Sequence, residues 1–242
     1  MIRAIALRLE GPMQSWGGPV AGNDRPSLDV PTKSGVLGLV AGALGIERRE
    51  VEQLALLHAG FAVAVRVDRR GTPGVDYHST LDVPTADGGS RGDEAVISRR
   101  RYLYDASFAV LVVERSEAMP VDSLLEAFRR PGFAPFLGRR ACPPSVPFLG
   151  HDARPLEGED WRALLDQVPL AERPDPAPHE VHLDAELAPN AESRARRQRD
   201  VLIGRLPRLF GERAVHVLRW TPPGPAPVPA ATIEGSIDPW FR

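Results

Sequence analysis

Ile2-Arg3-Ala4-Ile5-Ala6-Leu7-Arg8-Leu9-Glu10-Gly11-Pro12 opens the chain, and within it Ile5, Leu7 and Leu9 alternate with Ala6, Arg8 and Glu10. A period of two is the mark of a strand with one buried face, and Gly11-Pro12 ends it. The segment from there to Pro31, punctuated by Gly17, Gly18, Pro19, Gly22 and Pro26, reads as a long loop, of a length that in a compact domain is either functional or poorly ordered. Thr32 or Ser34 can then cap a helix that buries Val36, Leu37, Leu39, Val40, Ala43 and Leu44 and stops at Gly45. Val51, Leu54 and Leu57 predict a second short helix closed by Gly60, after which Phe61, Val63, Val65 and Val67 alternate as a second strand.

Residues 69–101 are polar and rich in glycine and read as an insertion between strands. A third strand is expected over Tyr102 to Glu114, apolar enough at Phe108 to Val113 to be central in a sheet. Asp122 can cap a helix that buries Leu124, Leu125 and Phe128, and Phe133 to Leu137 reads as a weak fourth strand. The order strand, helix, strand, strand, helix, strand predicts an α+β fold of the ferredoxin-like (RRM-like) type over residues 1–150. Past Pro143 the character changes, with residues 152–186 acidic and proline-rich and residues 194–199 reading Arg-Ala-Arg-Arg-Gln-Arg. A boundary is expected near 150, followed over 151–242 by a small β-rich domain with strands at Val181 to Leu187 and Ala214 to Trp220 and a proline-rich tail.

The chain has 242 residues, 43% hydrophobic and 26% charged, enough for one sizeable core. Its 25 prolines disfavour a helical bundle. The formal net charge of −2 carries no global nucleic-acid signature, so RNA binding must rest on local clusters. Lys33 is the only lysine, so nearly all positive charge is arginine, whose planar fork suits phosphates and bases. The single Cys142 allows no internal disulfide and no thiolate metal cluster. With Arg3, Arg8 and Glu10 breaking up the start, and the apolar run Val36 to Ile46 too short for a bilayer, the reading is a cytoplasmic protein with no membrane segment.

No metalloprotease helix, nucleophile elbow, paired Cys-x-x-Cys or Walker loop is present, and Thr32-Lys33-Ser34 lacks the glycine-rich turn of a phosphate loop. In Gly11 to Gly18, the glycines, Gln14 and Trp16 either bring backbone and an aromatic ring to RNA or simply pack and turn the chain. Lys33 and Ser34 at a helix start either hold an anion or cap the helix. Asp76-Tyr77-His78 either offers acid–base or base-contacting groups or forms a turn with a bonded histidine. Arg99, Arg100 and Arg101 precede a strand that sends Arg100 to the face opposite its neighbours, and Arg139-Arg140 sit between turn residues that fix them as an electropositive patch.

Taken in order, Gly11-Pro12-Met13-Gln14-Ser15-Trp16-Gly17, Arg25-Pro26, Pro31 to Leu39, Leu44-Gly45-Ile46, Asp76-Tyr77-His78, Asp105-Ala106-Ser107-Phe108 and Leu137-Gly138-Arg139-Arg140-Ala141-Cys142-Pro143 resemble the fifth CRISPR-associated family of the RAMP superfamily, in its type I-E Cascade form. The resemblance implies a ferredoxin-like body, a projecting β-hairpin thumb at about 71–101, and a non-catalytic subunit that binds the 5′ handle of the crRNA. Further implied partners are the repeated backbone subunit and the large subunit, with target DNA met only through the complex. It places Gln14, Trp16, Arg25, Lys33, Ser34, His78, Arg100, Arg139 and Arg140 among the expected RNA contacts, with no cofactor and no metal. The enzymatic alternative is a metal-independent endoribonuclease using Tyr77, His78 and Lys33.

Overall fold

The computed structural model describes residues 1–18, 22–85, 87–90, 92, 94–116, 119–151, 153–205 and 208–224. Strand β1 (Ile2–Glu10) is followed by the short β2 (Met13–Gln14) and β3 (Asp24–Arg25), then helices α1 (Lys33–Ala43) and α2 (Val51–Gly60). Next come β4 (Phe61–Arg69), β5 (Thr72–Thr80), β6 (Val96–Tyr104), β7 (Ser107–Glu114) and α3 (Val121–Arg129). The remainder holds β8 (Leu156–Gly158), α4 (Trp161–Leu165), β9 (His179–Asp184), β10 (Arg196–Arg205) and β11 (Arg208–Trp220). The result is a mixed α+β protein, and among the described residues no helix is long and apolar enough to cross a membrane.

A seven-stranded sheet runs β10-β11-β9-β4-β7-β1-β8. Both β1 and β4 pair antiparallel with β7 between them, so they are parallel to each other, and α1 and α2 make the crossover. Likewise β7 and β8 flank β1 in parallel, with α3 in the connection. Alternation along the strands sorts the core. Ile5, Leu7, Leu9, Val63, Val65, Val110 and Val112 face α1, α2 and α3, while Ala62, Ala64, Leu111, Val113, Val181 and Leu183 face Trp161, Leu164 and Leu165. Thr32 caps α1 by accepting from the Gly35 N–H at 3.0 Å, a contact of about 1 kcal/mol.

Four expectations are corrected. Residues 133–137 form no strand: they are irregular, and the position beside β1 is filled by β8. The strand expected over 102–114 is two strands in two sheets, broken where Asp105 adopts φ 55° and Arg69 Nε donates to its carbonyl at 2.6 Å. The boundary near residue 150 is no break in the sheet, because β8 pairs with β1 and β9 with β4 at Ala64–Leu183 and Val65–His182. Finally, α3 begins at Val121 with Pro120 as its cap, so Asp122 lies inside the first turn.

Candidate nucleic-acid interface

The insertion expected at 71–101 is an antiparallel hairpin of β5 and β6, paired from Thr72–Tyr104 to Thr80–Val96. It belongs to a second, four-stranded sheet, in which β2 and β3 line the other edge of β6. The hairpin leaves the large sheet at Gly71, whose φ is +73° and where a Cβ would stand 2.6 Å from the Tyr104 carbonyl oxygen.

Register decides which side chains share a face of this hairpin. Asp76 stands opposite Arg100 and His78 opposite Ser98, while Arg25 of β3 also stands opposite Arg100. Residues directly opposite point the same way, so Arg25, His78, Arg100 and Tyr102 lie on one face. Tyr77, Arg99 and Arg101 go to the other, where Tyr77 is 61% exposed and Arg99 lies 5.5 Å from its ring centroid.

Arg139 joins the first face from a distant loop. Its guanidinium lies 4.7 Å from the Tyr102 ring centroid, and Nη2 donates to the Arg25 carbonyl at 2.9 Å. Nη1 is buried and finds no acceptor among the described residues. The loop is fixed by Ser15 N–H donating to the Leu137 carbonyl at 3.1 Å and Leu137 N–H to the Cys142 carbonyl at 2.8 Å. Between them Gly138 has φ +85°, and a Cβ there would overlap the Ser15 carbonyl oxygen at 1.7 Å. Arg140 is exposed, and the Cys142 thiol is buried and pushed above its ordinary value by that burial. Arg25, whose Nη1 donates to the Gly22 carbonyl at 2.7 Å, and Arg100 thus share a face with Arg139 stacked on Tyr102, and the carboxylate of Asp76 on that face lies 2.9 Å from His78 Nε2.

Other expected contacts turn inward. Trp16 is 1% exposed and donates its Nε1–H to Gln14 Oε1 at 3.0 Å. Gln14 is 0% exposed and donates Nε2 to the carbonyls of Leu9 and Ala106 at 3.1 and 2.8 Å. Neither side chain is presented to a ligand, because both are spent joining the two sheets. Ser34 is half-buried, with its hydroxyl 3.4 Å from that of Thr32.

The start of α1 does hold an anion, but one of the chain's own. Asp200 Oδ2 accepts from the Lys33 backbone N–H at 2.8 Å, and Lys33 Nζ donates to Asp184 Oδ2 at 3.0 Å. Arg213 completes the cluster, with Nη1 to Asp184 Oδ1 and Nε to Asp200 Oδ1 both at 2.6 Å. The Lys33 side chain is 7% exposed, so the expected phosphate contact is corrected to a buried ion pair. Sequence reasoning missed Asp184, Asp200 and Arg213 because only the pairing of β9, β10 and β11 brings them together. The set proposed for cleavage is not assembled either: Tyr77 and His78 point to opposite faces of β5, and Lys33 is held by Asp184. Among the described residues no group of three His, Cys, Asp or Glu is placed to hold a metal ion.

Comparison with known proteins agrees with this architecture. A family described as CRISPR-associated protein (Cas_Cas5) matches residues 4–216. The CRISPR system Cascade subunit CasD of Escherichia coli (strain K12) is 39% identical over 176 residues, covering 69% of this chain and 77% of that protein. A chain of a solved CRISPR RNA-guided surveillance complex superposes with a TM-score of 0.69 at 29% identity, covering 90% of each chain. A second structure, described as a crystal structure of a Cas protein, gives 0.65 at 31% identity over 92% of this chain and 100% of the other. The chain belongs to this CRISPR-associated family.

Proposed function

We propose that the protein is a non-catalytic subunit of a type I-E CRISPR surveillance complex, that it binds the 5′ handle of the crRNA, and that it caps one end of the assembly in antiviral defence. The observation that carries this is the placement of Arg25, Arg100 and His78 on one face of the small sheet, with Arg139 stacked on Tyr102 of that face. Guanidiniums held by a fixed scaffold suit phosphates and unstacked bases. The strand order β8-β1-β7-β4 with its two split crossovers supports a ferredoxin-like body, and the β5–β6 hairpin is read as its thumb. In this reading the repeated backbone subunit and the large subunit are its protein partners, target DNA is met only through them, and the complex works in the cytoplasm.

The test is incubation of the purified protein with labelled repeat RNA of its own system, with and without divalent metal, followed by a denaturing gel and a binding assay on the mature 5′ handle. Binding without cleavage, weakened in Arg100→Ala and Arg139→Ala, is expected. Specific cleavage abolished by His78→Ala would make the protein a processing endoribonuclease.

A further inference from the structure

Beyond Arg66 and Val181, the last pair between β4 and β9, the seam between these strands opens into a cavity of about 100 Å³. Arg70, Asp175, His179, Glu180 and Arg219 supply its polar lining. Its wall over residues 173–178 is held in place, with the Asp175 N–H donating to the Asp68 carbonyl at 2.7 Å and Arg69 Nη1 to the Arg173 carbonyl at 3.0 Å. Pro174, Pro176 and Pro178 fix φ at every second residue of that wall.

Most polar atoms here already have partners. Glu180 accepts from Arg70 Nη2 on Oε2 and lies against His182 Nε2 through Oε1, both at 2.6 Å. Asp175 Oδ2 accepts the Arg70 backbone N–H at 2.9 Å. His179 is 3% exposed, and its Nδ1 lies 3.2 Å from the Val67 carbonyl oxygen. A carbonyl only accepts, so Nδ1 carries the proton and Nε2 of the neutral ring is an acceptor. Three groups are left without a partner among the described residues: Asp175 Oδ1, His179 Nε2 and the guanidinium of Arg219, which stands opposite Glu180.

Two acceptors and one cationic donor select among ligands. An ammonium would meet the like charges of Arg70 and Arg219, and a carboxylate would meet that of Asp175. A primary carboxamide satisfies all three groups, its oxygen accepting from Arg219 and its NH2 donating to Asp175 Oδ1 and His179 Nε2. The space equals about three water molecules at ~30 Å³ each, room for one head group. It lies well below the roughly 300–1,000 Å³ of sites that enclose a whole small molecule.

We propose that this cavity is a socket for a carboxamide, the Asn or Gln side chain of a docked polypeptide. A polypeptide is favoured over a free amino acid because the cavity holds the head group alone and offers no further unpartnered groups for an α-ammonium and α-carboxylate. The proposal stands independently of the arginine face.

The experiment is an NMR titration of the isotope-labelled full-length protein with N-acetyl-glutamine N-methylamide, its glutamate counterpart and free L-glutamine. It is repeated on Asp175→Asn and Arg219→Gln. The blocked glutamine is expected to bind with a Kd on the order of millimolar, as one head group supports, and about tenfold more tightly than the blocked glutamate. Arg219→Gln, at an exposed site, weakens glutamine about tenfold, the share of one charge-assisted hydrogen bond. In Asp175→Asn, Oδ1 keeps the Arg70 N–H while Nδ2 turns donors toward the cavity, so the preference reverses to glutamate. No binding of either blocked amino acid, equal binding of both, or a preference unchanged in Asp175→Asn overturns the proposal. Tighter binding of free L-glutamine makes this a metabolite site and overturns it. Perturbation of the same resonances by handle RNA, with none from the blocked glutamine, makes it an RNA contact and also overturns it.

Discussion

The carboxylate of Asp200 accepts the backbone N–H of Lys33 at 2.8 Å, so the first turn of α1 is closed by a residue 167 positions away in β10. The same carboxylate takes two bonds from Arg213, at 2.6 and 2.9 Å. Without Asp200, the Lys33 N–H and the Arg213 Nε and Nη2 lose their acceptor, and two buried cations are left to share the single carboxylate of Asp184. Asp200→Ala is therefore expected to lower stability by about 3–5 kcal/mol, read as a fall in the urea midpoint at unchanged slope.

Lys33 and Arg139 are expected to separate cleanly. Arg139→Ala removes a guanidinium from the open face and should lower the salt slope of handle binding by roughly 0.7, the share of one phosphate contact on a single strand. Lys33→Met should leave that slope unchanged while reducing stability, because its ammonium is bound to Asp184. A salt titration of binding for both variants reads the difference.

His58 on α2 has a buried Nδ1 with no acceptor among the described residues. Burial, then the neighbouring Lys33 charge, lowers its pKa from 6.5 to about 4, against a smaller opposing pull from Asp200. Between these values the unfolded chain binds a proton that the native one does not, so stability falls as pH falls through this window. His58→Gln should flatten the profile by roughly 2–3 kcal/mol between pH 6.5 and pH 4, measured by denaturant unfolding at a series of pH values.

Gly138→Ala places a methyl group into the Ser15 carbonyl and forces an L-residue to φ +85°. The expected loss is about 2–4 kcal/mol, with handle binding weakened even in protein that remains folded, since the loop can no longer seat Arg139 on Tyr102. Thermal unfolding and a binding assay on the folded fraction check the two effects.

Period-two alternation made β1, β4 and β7 legible from the sequence, and helical spacing with Thr32 and Gly45 located α1. The left-handed Asp105 escaped because nothing local marks it: its conformation is held by Arg69 and the turn at Gly71. Residues 156–158 escaped because a strand this short has no period to read. At the site, Arg25 is exposed and His78 and Arg100 are half-buried on one face, where Arg139, also half-buried, stacks on Tyr102. Gln14, Trp16 and Lys33 look the same in sequence, but their polar atoms have partners supplied by segments far away, which no local pattern encodes.

The closure of both edges of the β1-β7-β4 core by late segments bears on how the chain is made. The edge of β1 is covered by residues 156–158 and that of β4 by residues 179–184. A chain leaving the ribosome therefore carries the β1 edge unpaired until residues 156–158 have been made and the β4 edge unpaired until residues 179–184 have followed. The charge cluster is complete only when Arg213 has emerged, so a late segment of the chain secures the start of α1. Vectorial synthesis thus favours a late, concerted closure, and a prematurely terminated chain ending before β9 retains an open β4 edge for another strand to occupy.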